Sequence, residues 1–300
     1  MLLTPSQTKE SLLRKLRGVN QVPDLPIVLE PLLTYLQQPV DSMQVAEVVR
    51  LISRDKALTA QCLHLANSPL FGRWQPVDTV HGAVVALGLR RMREIATSCC
   101  LLNLTPRASK LDPVVFWEHA LGCALVSRHL ARAVGFTDPE KAYLAGLLHD
   151  FGILMHLWLV PREFQEAWEK ARVAHIPLQD AEEEVLGVGH SETGRMLAER
   201  WRFGDPLVAA IGGHHDVAKV TAHRSLVAIV ALSDVLCRMG GLNHGYSEER
   251  QVDMVEEPAF AVLSEEFPAI HTLDWERLTF ELDTFVVEVH QLVNVVSCPK

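Results

Sequence analysis

The stretch Tyr143–Gly152, YLAGLLHDFG, constrains this chain more than any other. It is an apolar run of helix formers that ends in an ionisable pair, His149 and Asp150. A run this apolar has to be buried. A buried imidazole and carboxylate need hydrogen bonds, opposite charges or a metal ion to offset lost hydration. The remaining sequence must therefore supply partners for the pair. The wider run Leu144–Val160 is interrupted by His149, Asp150 and His156, so it reads as a buried helix or helix pair rather than a membrane span.

Helical signals dominate the 300 residues and strand signals are nearly absent. The expected fold is all-α: a two-lobed helical bundle. Residues 1–106 form a small amino-terminal lobe, residues 107–242 a second lobe containing the HD pair, and residues 243–300 a helical extension. Leu12, Leu13 and Leu16 make the apolar side of an opening helix. VPDLP (Val22–Pro26) ends it, and a helix from about Ile27 to Gln37 follows. Asp41 or Ser42 can cap the next helix, whose inner face carries Val45, Val48, Val49 and Ile52. Asp55 opens another with Leu58, Cys62, Leu65 and Ala66 in register. Asp78 is expected to cap a helix through Ala86, Gly88 suits a turn, and Leu89–Leu104 reads as a long helix. Val45–Ala66 and Val80–Ile95 resemble helix-turn-helix pairs and equally fit ordinary helix packing. Arg90, Arg91 and Arg93 are the basic cluster nearby, readable as a solvated face.

TPRASKLDP (Thr105–Pro113) is the expected linker. Helices are then expected over Val114–Val134, from an Asp138 cap with Pro139 through Leu148, on to Trp158, and from Pro161 to about Ala174. Others follow over Leu178–Leu186, from Asp205-Pro206 toward His214, and over Leu226–Met239. Asp274 caps a last helix with Leu278, Leu282, Phe285, Val289 and Leu292 in one stripe, suited to packing on the body or on a second subunit.

Charge narrows the functional classes. The net charge of −9 opposes a dedicated nucleic-acid binder. Residues 1–105 hold 11 Lys+Arg against 8 Asp+Glu, so only the amino-terminal third is mildly basic. The six cysteines (Cys62, Cys99, Cys100, Cys123, Cys237, Cys298) lack metal or disulfide spacing and read as buried thiols in a reducing cytoplasm. Met1–Gln7 has no basic segment followed by an apolar one, so no secretory signal is expected.

The partners of the HD pair are His119, His190, His214, His215 and Asp234, from four further helical segments. Imidazoles and carboxylates converging from several helices suit a mono- or binuclear metal site. Adjacent residues on a helix point about 100° apart, so His149 and Asp150 can flank one ion while the carboxylate bridges to a second. Mixed His and carboxylate ligands favour Fe or Mn over Zn, with a site lacking metal as the alternative. The other histidines (His64, His81, His129, His156, His175, His223, His244, His271 and His290) read as core or surface residues.

The order H…HD…H…HH…D resembles the HD superfamily of metal-dependent phosphohydrolases and, more narrowly, the HDOD family of bacterial signalling proteins. The blocks that carry the resemblance are Leu25–Leu33, Leu51–Gly72, Ala83–Ile95, Phe116–Leu121, Ala142–Gly152 and Gly187–His215. The resemblance implies a small amino-terminal bundle and a second lobe like the HD hydrolase core. It also implies a non-enzymatic regulatory module, coupled to two-component or cyclic-dinucleotide pathways. Two departures disfavour catalysis. Related enzymes often follow the HD pair with Gly-Lys, whereas Ile153 follows Gly152 here. No GYP signature follows His214-His215-Asp216, which disfavours cyclic di-GMP hydrolysis. The expected function is signal transduction by partner binding without catalysis. A metal-dependent phosphohydrolase, with Asp150 as the catalytic candidate, and a DNA-binding regulator are the alternatives. Other signalling proteins are the expected partners. A homodimer and a nucleotide ligand stay open, nucleic acid is disfavoured and no membrane is expected.

Overall fold

A computed structural model describes residues 4–17, 35, 42–67, 76–102, 111–249, 252–275, 277, 278, 286, 287, 289, 290 and 293. The expected helix at Ile27–Gln37, most of the ANSPLFG stop and linker, and most of the final stripe lie outside these residues.

The described residues form thirteen α-helices and no strand. The first four are α1 (Pro5–Arg17), α2 (Val45–Ile52), α3 (Lys56–Ala66) and α4 (Val80–Leu102). The second lobe begins with α5 (Pro113–Val134), α6 (Pro139–Leu148), α7 (Phe151–Leu159), α8 (Pro161–Ala174) and α9 (Leu178–Leu186). Then come α10 (His190–Arg200), α11 (Asp205–Gly213), α12 (Arg224–Met239) and, within the expected extension, α13 (Pro258–Glu266).

Local signals account for most boundaries. Asp55 accepts the Leu58 N–H at 3.0 Å, Asp112 the Val114 N–H and Asp138 the Lys141 N–H, each a side-chain cap. Asp274 likewise accepts the Arg277 N–H. Gly88 (φ 84°, ψ 160°) breaks α4 into two helical pieces, where a turn is expected. Two caps differ from expectation. Thr79, not Asp78, accepts the Gly82 N–H at the start of α4. Gln44, not Ser42, precedes α2, and its N–H donates to the Tyr35 hydroxyl at 2.8 Å. The basic triplet does not form one solvated face either. Arg90 and Arg91 are exposed but Arg93 is buried, because two residues of helix place it about 200° round from Arg91.

Helices α6 and α7 form the axis of the second lobe. Pro139–Leu159 is long and apolar enough to cross a membrane, but 94% of its most apolar window is buried inside the protein. It is two helices rather than one. Asp150 (φ −93°, ψ 14°) interrupts the helix between them. Around this axis pack α5, α10, α11 and α12. Helix α1 lies on α7 and α9: Lys15 donates to the Leu159 carbonyl, and Lys9 pairs with Glu192 at 3.6 Å. The small lobe meets the axis where Ser98 of α4 hydrogen-bonds Tyr143 of α6 at 3.1 Å. Cys62, Cys99, Cys123 and Cys237 are buried.

Two glycines bracket the HD pair and set its neighbours' distances. A Cβ on Gly146 would lie 2.6 Å from the Cys123 carbonyl oxygen of α5. A Cβ on Gly152 would lie 1.9 Å from the His190 carbonyl oxygen and 2.9 Å from the Gly194 nitrogen of α10. These are backbone obstacles that cannot rotate away. Gly152→Ala is therefore expected to force α7 and α10 apart and to destabilise the fold by about 3 kcal/mol, seen as a lower urea midpoint. An unchanged midpoint would contradict this packing.

Candidate metal centre

The helix break at His149–Asp150 turns both side chains into one enclosed space, and the surrounding helices fill it with donor atoms. His119 comes from α5, His190 from the first position of α10, His214 from the carboxy-terminal end of α11, and Asp234 from α12. His119 and His149 are fully buried, and Asp150, His190, His214 and Asp234 nearly so. His215 is half-buried. All seven residues singled out in the sequence converge here.

Asp150 is the hub. Its Oδ2 lies 3.2 Å from His149 Nε2 and 3.3 Å from His119 Nε2. Its Oδ1 lies 3.1 Å from His190 Nε2 and 3.5 Å from His214 Nε2. Asp234 Oδ1 lies 3.2 Å from His119 Nε2, and His215 Nε2 lies 2.9 Å from His190 Nε2. Two four-donor groups result, His119, Cys123, His149 and Asp234 in one and Asp150, His190, His214 and His215 in the other, beside a third of three donors. Asp150 presents one oxygen to each side. Donors bound to one ion at about 2.0–2.2 Å sit about 3–3.5 Å apart, so these spacings are those of a coordination shell.

The far nitrogens of the rings are already committed. His119 Nδ1 donates to the Leu242 carbonyl at 2.8 Å, His149 Nδ1 to the Gly146 carbonyl at 2.7 Å, and His214 Nδ1 to the Ile211 carbonyl at 2.9 Å. His190 Nδ1 donates to Glu182 Oε2 at 2.6 Å, and its backbone N–H donates to the same oxygen at 2.7 Å. Such bonds orient the rings with Nε2 toward the centre, as metal-binding imidazoles require. His214 Nε2 is buried without a hydrogen-bond partner, although it points at the cluster. A buried orphan nitrogen among donors at coordination spacing fits a bound cation. The cluster could thus hold a metal, as one ion or a pair.

Two histidines read from sequence as core or surface residues belong to this network. His244 Nε2 lies 2.9 Å from Asp150 Oδ2. His156 donates from Nδ1 to Glu182 Oε1 at 2.9 Å and accepts the Thr193 hydroxyl at Nε2, so Glu182 ties His156 to His190. Glu182 was not singled out at all. It lies on α9 in the run AEEEVL, where three adjacent glutamates give no sign that the first is fully buried.

Proton binding reflects the crowding. Burial pulls the His119 imidazole down, but Asp150 and Asp234 outweigh it and hold its pKa at about 10. Burial opposes His190 in the same way, and Glu182 and Asp150 raise it to about 10. Burial disfavours ionised Asp150 and Asp234, yet the His149 and His190 rings around the first and Arg238 beside the second keep both carboxyls well below their usual range. Glu182, against burial, is held at about 2 by His190 and His156. His214 and His215 are lowered, chiefly by burial, and His244 falls to about 4 through burial and the nearby His119 charge.

A cleft of about 450 Å³ reaches the cluster at His215. Its walls carry Asp180, Glu183, Glu192, Asp216 and Glu248 against Lys219 and Arg238. Lys219 pairs with Asp216, and Arg238 is clamped between Asp234 and Glu248.

The sequence pattern of the HDOD domain family matches residues 22–217. An uncharacterised protein of Treponema pallidum (strain Nichols) is 27% identical over 222 residues, 73% of this chain and 43% of that protein. The chain thus spans less than half the length of that relative. An HDOD domain protein of unknown function from Geobacter sulfurreducens is 29% identical, with a TM-score of 0.78 over 97% of this chain and 99% of that one. A candidate signal-transduction protein from Marinobacter aquaeolei VT8 gives a TM-score of 0.75 at 22% identity, over 98% and 65% of the two chains. A candidate phosphohydrolase from Shewanella amazonensis SB2B gives 0.71 at 23%, over 95% and 98%. The last two share the fold.

The shifts predict how metal-free stability depends on pH. His119 and His190, raised from 6.5 to about 10, contribute stability that is complete below pH 6.5 and lost as pH rises toward 10. His244, lowered from 6.5 to about 4, costs stability as pH falls below 6.5, and the lowered His214 and His215 act the same way. Glu182, lowered from 4.5 to about 2, adds a loss only as pH falls from 4.5 toward 2. Thermal midpoints in chelator are therefore expected to peak near pH 6.5. Divalent metal displaces the protons of His119 and His190, so the alkaline decline should flatten on loading. A metal-free midpoint that keeps climbing to pH 9 would contradict these assignments.

Proposed function

The chain belongs to the HDOD domain family, and from that premise we propose that it is a bacterial signalling module that works by binding a partner, with its HD-type cluster as a metal centre that does not turn over substrate. The observation that carries this reading is the acidic approach to the cluster. A phosphodiester entering the cleft meets five carboxylates, while the two cations there are already engaged by Asp216, Asp234 and Glu248. Like charge along a confined approach opposes an anionic substrate. The position after Gly152 adds to this. Ile153 is fully buried in the core, where it offers a phosphate no charge.

In this reading His119, His149, Asp150, His190, His214, His215 and Asp234 hold one or two divalent ions, Fe or Mn by ligand type. Such ions, when bound, can acidify water and polarise a phosphoryl oxygen. The chain's own contribution is the orientation of donors through Glu182, Leu242, Gly146 and Ile211. Its partners are other signalling proteins or a second copy of itself, in the cytoplasm.

The second reading is a metal-dependent phosphohydrolase. It is favoured by the Asp150 carboxylate placed between two donor groups and by His215 facing the cleft, an arrangement that suits a two-metal clamp.

One assay separates the two. Chelator-stripped protein reloaded with Mn(II) or Fe(II) is incubated with cyclic dinucleotides and with a simple aryl phosphodiester. Turnover is expected to equal that of Asp150→Ala. Metal-dependent hydrolysis abolished by Asp150→Ala would replace the first reading with the second.

A further inference from the structure

The loop after α12 covers the cluster. The chain turns at Gly241 (φ 87°) and runs back across the donor atoms. Leu242 gives its carbonyl to His119 Nδ1 at 2.8 Å. Two residues later His244, 5% exposed, places Nε2 2.9 Å from Asp150 Oδ2, with its ring centroid 4.4 Å from that of His119. The loop is fastened at several points. Trp168 Nε1–H donates to the His244 carbonyl at 3.1 Å, the Tyr246 hydroxyl donates to the Ile176 carbonyl at 3.0 Å, and the Glu249 N–H donates to the His175 carbonyl at 3.0 Å. Folding therefore fixes the His244 ring over the cluster before any ion arrives. His244 lies outside the family-matching span, which ends at residue 217.

We propose that His244 is a further metal ligand, closing the coordination sphere on the side of the ion held by His119 and Asp150. The inference rests on the reading of the cluster as a metal centre. The donor atoms of His119, Asp150 and His244 all lie within 4.8 Å of one another. The 2.9 and 3.3 Å separations of His244 and His119 from Asp150 Oδ2 are edges of one coordination polyhedron. Catalytic sites keep a position for water, whereas structural sites fill it with protein ligands. Here an imidazole from the chain itself fills it. The two poles of the centre then differ: the His244 pole is sealed by protein, and the His215 pole faces the cleft.

The test uses the full chain, stripped with chelator and titrated with Mn(II) or Co(II), as wild type, His244→Ala and His244→Gln. The glutamine amide can still donate a hydrogen bond to Asp150 but is a poor ligand. Ligation predicts that both variants bind metal at least tenfold more weakly, the lower end of what even an outer-shell partner commonly contributes. It also predicts higher water-proton relaxivity per bound Mn(II), because solvent takes the vacated position, with X-ray absorption showing one imidazole fewer. Helical circular dichroism confirms that the variants fold. If His244→Gln keeps wild-type affinity and relaxivity, the role is only a hydrogen bond to Asp150 and the proposal is overturned while the metal-centre reading stands. If wild-type protein itself takes up no metal, both fail together.

Discussion

Everything in the second lobe depends on one buried carboxylate. Asp150 is held by His119, His149, His190 and His244, from three helices or their connections and a loop, and His214 faces it at 3.5 Å. An ionised carboxylate taken out of water costs several kcal/mol unless charge and hydrogen bonds replace its hydration. Here the replacement is distributed. Each imidazole comes from a different part of the chain, so the lobe must assemble for the carboxylate to be satisfied. Glycines at 146 and 152 let the backbones of α5 and α10 approach closely enough for those rings to reach. The apolar axis and the polar centre are thus one construction: the axis breaks at the pair, and the break aims the pair inward.

A site and an activity are separate properties of such a centre. Donor spacing, committed Nδ1 atoms and the orphaned His214 Nε2 belong to a cluster that suits a cation. The surroundings tell a different story for an anionic substrate. The cleft at His215 is acidic, its cations are paired, and the far pole lies under the 242–249 loop. The electrostatics that hold a cation and repel an anion are the same field, and here no surplus of basic side chains along the cleft reverses it.

The sequence made the fold class, most helix boundaries and seven converging residues legible, because each has a local or patterned signature. Caps at Asp55 and Asp138 act within three residues, and apolar spacing reports which face is buried. The misplacements have physical reasons. Asp78 and Thr79 both can cap, and backbone geometry chose Thr79. Arg93 follows two exposed arginines in sequence but turns inward by helix rotation. The packing of α1 on α7 and α9 is a long-range contact that no local pattern reports. His244 and Glu182 were invisible because nothing in a loop or in a glutamate run marks a residue as buried, and the apolar run around His156 marked it as buried without showing its partner Glu182.

The sequence by itself determined that this is an all-helical HDOD chain with an apolar run ending in an ionisable pair, and that ligand-type residues occur in the order needed to satisfy it. Those features follow from short-range propensity, periodicity and residue chemistry. Only the tertiary structure decided the distances: which Asp150 oxygen faces which ring, that Glu182 locks His190, that the approach is acidic, and that the loop carrying His244 closes one side. These are contacts between residues tens of positions apart, His244 and Asp150 being separated by 94. No local pattern encodes such contacts, because they arise only when separate helices pack.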